Sequence, residues 1–376
     1  MKLPDDHRAV QDAVRAYVQA EIAPHAARWD RDSTFPREAL RGLAALGCYG
    51  VAVPTQWDGA GLDYLALAVI LEEIGAGDGA TSTIVSVNNC PVCSILMAWG
   101  NDAQKERWLK PLARGERLGA FCLTEPQVGS QADGLKTTAL RQGDDYVLDG
   151  VKQFITSGRN GDVAIVMAVT DARAGKRGIS AFIVPTDAPG YHADRLEEKL
   201  GQHASDTAQV RFEGCRVPAA NRLGEEGQGL KIALSGLEGG RIGIGAQAIG
   251  MARAAFEAAL AYSKERVAFG KPIFEHQALQ FRLAEMAMQI EAARQLVRHA
   301  ASLKDAGVPC LKEAAMGKLY ASEMAERVCS AAIQIHGGYG YVRDFPVERI
   351  YRDVRVCQIY EGTSDVQKIL IGRALA

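Results

Sequence analysis

The sequence predicts a mainly helical fold interrupted by a β-rich middle third, and three observations predict it. Apolar residues recur at helical spacing from the start to about residue 118. Short β-rich runs split by turn formers take over at Gly119, and alanine-rich helical texture returns from Leu230. The boundaries expected are 1–118 for an N-terminal helical domain, 119–225 for a β domain and 226–376 for C-terminal helices. A chain of 376 residues is long enough for two or three such units and a sizeable core.

In the first region Val10, Val14, Val18 and Ile22 fall four apart, with Ala13 and Tyr17 beside them, and make one apolar stripe. YLALAVILEEI (64–74) predicts a second helix and residues 103–112 a third. SVNNCPVCSILMAWG (86–100) reads as a helix entering the core. Its Cys90 and Cys93 form the single C-x-x-C, without a second pair or histidines at zinc spacing and without a preceding strand, so they read as structural thiols with no metal. The eight cysteines are scattered and are expected as reduced thiols in apolar settings.

In the middle region DYVLDGVKQFIT (145–156) places Asp149-Gly150 between β-rich runs, a hairpin signal. DVAIVMAVT, GISAFIVPTD and AQVRFEGCRVP follow as short strands with no helix between them, which predicts an antiparallel barrel or sandwich and not a βαβ unit. Pro218 and GEEGQG (224–229) close this region. Beyond it, residues 243–266, 275–305 and 310–336 are each long enough for an antiparallel helical bundle.

With 43 Lys and Arg against 45 Asp and Glu, the net charge of -2 gives no basic excess for nucleic acid. The N-terminus has no apolar core for a signal peptide and is too acidic for a transit peptide. No window holds the ~20 uninterrupted apolar residues of a membrane span. The expectation is a soluble, bacterial, cytoplasmic protein with neither nucleic-acid nor membrane partners.

Gly243-Ile-Gly245-Ala-Gln-Ala248 fits a G-x-G-x-x-A fingerprint, but it follows LEGGR instead of an apolar strand, so its glycines read as close helix packing. FCLTEPQVGSQADGLKTT (121–138) is a strand start followed by a loop of turn formers, able to aim backbone N–H groups at a flat polar ligand. In QIYEGTSDVQ (358–367), Glu361 alone reads as a solvated loop carboxylate. Ser364 to Gln367 reads as a capping-box start of a last helix, a place where anions bind.

Taken in order, LTEPQVGS (123–130), KQFITSG (152–158), LEGGRIGIGAQAIG (237–250), KERVAFGKPIFEHQA (264–278), QIHGGYGY (334–341) and YRDVRVCQIYEGTSDVQ (351–367) resemble the acyl-CoA dehydrogenase family over nearly the whole chain. The resemblance implies a helical domain, a central β-barrel and a C-terminal four-helix bundle. It also implies FAD as cofactor and an acyl-CoA oxidised to its trans-2-enoyl-CoA. A carboxylate removes the α-proton, the β-hydrogen leaves as hydride, and electrons pass to an electron-transferring flavoprotein. The thioester α-carbon is a weak acid, so enolate charge must be stabilised in a water-poor site and desolvation should raise the base's pKa.

Residue by residue, the Y-E-G-T-S motif puts the base on Glu361. A minority branch has its base just before the arginine of L-x-x-x-R, where this chain has Gly240 before Arg241. The resemblance assigns Phe121, Leu123, Thr124, Ser130, Phe154, Ile155 and Thr156 to the flavin. Arg266, Phe269, Gln277, Gln334, Gly337 and Gly338 fall to the FAD of a neighbouring subunit, and Thr363, Ser364 and Asp365 to FAD phosphate or adenosine at the last helix start. Ser130, Glu238, Arg241 and Gly362 fall to the substrate. The implied assembly is a homotetramer, a dimer of dimers. QADG after Ser130, Phe154 in place of a common Trp, and Asp365 in place of a common Glu depart from the family pattern.

SVNN resembles short-chain members, and LEGGRIGI resembles short-chain and short branched-chain members. Ile84, Val85 and Val87 are expected to fill the pocket end and limit acyl groups to roughly four to six carbons. Two other readings stand beside this one: an oxidase-like relative that uses oxygen, and a catalytically silent flavin or acyl-CoA scaffold. The latter has no need of a base.

Overall fold

A computed structural model describes residues 3–375. The N-terminal region carries α1 (Asp5–Tyr17), α2 (Ala23–Asp32), α3 (Arg37–Ala45), α4 (Tyr64–Gly77), α5 (Gly79–Val87), α6 (Ser94–Trp99), α7 (Asp102–Gln104) and α8 (Lys110–Ala113). Asp63 caps α4 by accepting from Ala66 N at 2.8 Å, and Asp78 caps α5 from Thr81 N at 2.7 Å. The stripe from Val14 through Val18 to Ile22 is buried, as its spacing predicts. The run Gly79–Trp99 is long and apolar enough to cross a membrane by length and composition, yet 83% of its most apolar 18-residue window is buried inside the fold. Asn88 and Asn89 interrupt its apolar sequence. Those two side chains are buried and donate to the carbonyls of Tyr49, Leu112, Cys48 and Val85, and Asn88 Oδ1 accepts from Gly119 N at 2.9 Å, which ties the run to the start of the sheet region.

The middle region is one mixed sheet of β1 (Gly119–Cys122), β2 (Thr138–Gln142), β3 (Asp145–Thr156), β4 (Val163–Val169), β5 (Ile179–Pro185), β6 (Tyr191–Leu196), β7 (Thr207–Pro218) and β8 (Arg222–Leu223). Its order is β6-β7-β3-β2-β4-β5-β8, with β1 beside β4. The expected closed barrel is therefore not formed. Closure would need β6 to pair with β8, but β8 is two residues long and the chain soon enters a helix. After β6 the chain leaves to contact the C-terminal helices, where Gln202 N donates to Asp353. Nor is the sheet purely antiparallel, since β1 and β2 both run parallel to β4.

Asp149-Gly150 is not a hairpin turn either. β3 runs through it, and the turn lies at Gly143, between β2 and β3. Gly150 sits at φ +147 because a Cβ there would strike Thr137, and the register shifts beside it.

The C-terminal region has three long helices, α9 (Gly229–Glu265), α10 (Gln277–Asp305) and α11 (Leu311–His336), followed by short α12 (Val347–Val354) and α13 (Ser364–Arg373). So this segment alone does not build a bundle of four matched helices, and α4 packs against both α9 and α10. The glycines of the false fingerprint serve helix packing. A Cβ on Gly243 would lie 2.8 Å from Ser86 Oγ, and one on Gly245 2.8 Å from Val297 Cγ2. All eight cysteines are buried free thiols.

Candidate active site

Glu361 stands just before α13 in the left-handed region, at φ +52, with Gly362 following at φ +93. That turn bends the side chain back toward α9. Its carboxylate lies against the bare Cα of Gly240, where an added Cβ would sit 2.6 Å from Glu361 Cδ and closer still to Oε2. Oε2 is buried without a hydrogen-bond partner. Burial pushes the Glu361 carboxyl up to about 8, against the opposing pull of Arg241 and Lys318. Arg241, 4% exposed, has Nε and Nη1 buried without partners, and burial holds its guanidinium below the usual range.

These groups line a cavity of about 200 Å3 between the sheet and α9. Phe121, Leu123, Thr124, Ser130, Phe154, Ile155, Thr156, Arg241, Glu361 and Gly362 all face it, drawn from four stretches of the chain. Phe154 is turned out by a bulge between Lys152 and Ile155, which leaves it at φ +61 and 62% exposed. Glu125, fully inside, holds the 123–137 loop. It accepts from Lys136 N at 2.7 Å and Thr137 N at 3.0 Å, and pairs with buried Lys152 at 2.8 Å. Burial would raise the Glu125 carboxyl, but Lys152 and the backbone donors outweigh it and hold it low.

Of the residues expected at the pocket end, Ile84 and Val85 are buried in the helical core, and only Val87 lines the cavity, with Thr83, Pro91, Leu237 and Ile244. Glu238 is not among the lining residues. It pairs with Lys304 at 2.9 Å. Arg266, Phe269, Gln277, Gln334, Gly337 and Gly338 are exposed away from the cavity. Phe269 is 97% exposed and Arg266 stacks over Tyr339, 5.8 Å from the ring centroid.

At α13 the cap is Thr363, not Ser364, and accepts from Val366 N at 3.3 Å. Gln367 reaches back to the carbonyls of Glu361 and Gly362 instead of closing a capping box. Ser364 Oγ is buried without a partner and Asp365 is exposed. An apolar ring turned outward over a cavity, and an unpartnered hydroxyl at a helix N-terminus, fit a flat cofactor bearing phosphates. Lys318 and Gln367 hold the turn after the base; the sequence gives Gln367 only as a capping residue and does not single out Lys318. The signal was there: Lys318 falls in the stripe Ala314, Lys318, Ala321, Ala325, a lone charge among small residues.

Residues 4–116, 120–215 and 227–376 match, in turn, the N-terminal, middle and C-terminal domains of acyl-CoA dehydrogenase. The chain belongs to the acyl-CoA dehydrogenase family. It is 44% identical over 371 residues to the short-chain specific acyl-CoA dehydrogenase of Rattus norvegicus mitochondria, covering 99% of this chain and 90% of that one. The solved butyryl-CoA dehydrogenase of Megasphaera elsdenii superposes with a TM-score of 0.97 at 41% identity, covering 100% of this chain and 99% of that one. A chain from the solved structure described as the electron transferring flavoprotein of Acidaminococcus fermentans superposes at TM-score 0.98, with 43% identity and 100% and 99% coverage. The activity is FAD-dependent dehydrogenation of an acyl-CoA, with electrons passed to an electron-transferring flavoprotein.

Proposed function

We propose that the substrates are short straight or α-methyl-branched acyl-CoA thioesters of roughly four to six acyl carbons, and that Glu361 is the base. The observation that carries the reading is the Glu361 carboxylate, buried and unpartnered at Oε2 against Gly240 in the cavity. A carboxylate so desolvated gains basicity, which narrows the gap to a weakly acidic α-carbon. Arg241 presents two unpartnered N–H-bearing nitrogens on the same wall and can offset charge that develops as the proton leaves. Bound FAD supplies the hydride acceptor for the β-hydrogen. Val87, Pro91, Leu237 and Ile244 bound the cavity with apolar surface, which supports a short acyl group, as do the short-chain and butyryl relatives.

We also infer a homotetramer in which the exposed Arg266, Phe269, Gln277, Gln334 and Gly337-Gly338 complete a neighbour's cofactor site. Their exposure away from the cavity supports this. The substrate reading is tested by anaerobic mixing with acyl-CoA of increasing length, following flavin bleaching. A kcat/KM optimum at four to six carbons is expected, and an optimum at long chains overturns it.

A further inference from the structure

Lys318 is the cation beneath the base. It lies about two turns into α11, is 0% exposed, and is surrounded on its own helix by Ala314, Ala315, Gly317, Ala321 and Ser322. Among the described residues no carboxylate forms an ion pair with it. Its Nζ instead donates to the Gly362 carbonyl at 2.8 Å, which also accepts from Gln367 Nε2 at 2.8 Å. An ammonium in such a place is costly unless its charge is used. The carbonyl it holds belongs to the residue after Glu361, and both residues are left-handed, a conformation a glutamate adopts only when held.

We propose that Lys318 is a positioning residue for the base: its ammonium, seated on the Gly362 carbonyl, fixes the Glu361–Gly362 turn and supplies a cation that keeps the buried carboxylate able to ionise. This rests on the reading of Glu361 as base. The charged and titratable groups facing the pair are Arg241 from α9, Cys357 from the turn after α12, Glu323 on α11 and the Cys90 thiol. Of these only Arg241 and Lys318 pull the carboxyl down, and Arg241 is not bound to the turn. Burial also draws Lys318 itself down to about 8, so its charge is kept through the neutral range by its neighbours and begins to fade above it.

The test is the pH profile of flavin reduction by butyryl-CoA in Lys318→Met, Lys318→Arg and Gln367→Leu holoenzymes. The acidic limb of kcat/KM reports the free enzyme's base. In Lys318→Met it should move up by roughly one pH unit or more, the scale on which a neighbouring opposite charge acts. In Lys318→Arg it should stay near the parent's. Gln367→Leu removes the second donor to the same carbonyl without a charge, so its rate should fall while its limb stays in place. That variant keeps the test open if the lysine variants do not fold. An unmoved limb in Lys318→Met, or an equal shift in Gln367→Leu, overturns the inference. If Glu361→Gln still reduces its flavin, it is the base reading that fails; if Glu361→Gln is inactive while the Lys318→Met limb is unmoved, only Lys318 is misassigned.

Discussion

Gly240 and Glu361 meet across the cavity because one has no side chain and the other is bent back by a left-handed turn. A methyl group at 240 would occupy the carboxylate's place, so Gly240→Ala should displace the base while the helix, which favours alanine, stays formed. A misplacement of about an ångström costs on the order of 10²-fold in rate, and stopped-flow flavin reduction with unchanged far-UV circular dichroism would register it. The same carboxylate costs the fold stability. Its pKa rises from 4.5 to about 8 on folding, so between those values the native state holds a proton that the unfolded chain has lost. Stability therefore falls as pH rises through that window and stays low above it. Glu361→Gln should match the parent in urea melts near pH 4.5 and exceed it at pH 8.5 by something on the order of 2–4 kcal/mol. At this scale the proposed base was legible in the sequence through its motif. Its surroundings were legible only in part: Gly240 and Arg241 stand in a motif on α9, but Lys318 comes from α11, and only packing brings the two helices to one carboxylate.

The helices and most strands follow from local spacing, and α4, α10 and α11 begin within a few residues of where periodicity places them. Asp149-Gly150 misled because a glycine inside a strand and a glycine in a hairpin look alike in sequence. The close approach of Thr137 decides between them, and that is a contact made by another strand. Closure of the sheet is likewise a matter of which edges meet, and no strand pattern encodes it. The element that most needs its tertiary partner is the 123–137 loop, held by Glu125 on Lys152 with side chains 2% and 0% exposed. Lys152→Met would strand the carboxylate in the interior. A loss of about 3–5 kcal/mol is expected, because one member of a buried pair is left uncompensated. Chemical denaturation measures it, and a loss below about 1 kcal/mol, the value of a surface pair, would show the pair to be dispensable.

For the molecule as a whole, helices from both ends of the chain and the open sheet enclose one cavity, while a second group of predicted cofactor residues faces outward. Its pieces lie on the connection from α9 to the start of α10 and on the end of α11 with the turn after it, joined by Arg266 over Tyr339. If a neighbouring subunit's FAD completes there, Arg266→Ala should lower FAD retention after gel filtration with the folded content unchanged, and FAD loss should deepen on dilution. A monomer in sedimentation analysis that keeps full FAD contradicts the shared site. Those outward residues were legible only through the family resemblance, since exposure gives a sequence no period to read. The central claim is that a buried carboxylate at 361 takes the α-proton. The measurement that tests it most directly is anaerobic reduction of FAD-loaded Glu361→Gln by butyryl-CoA. The account predicts bound flavin that stays oxidised, with the rate down by about 10²–10⁴-fold or more; bleaching near the parent rate would contradict it.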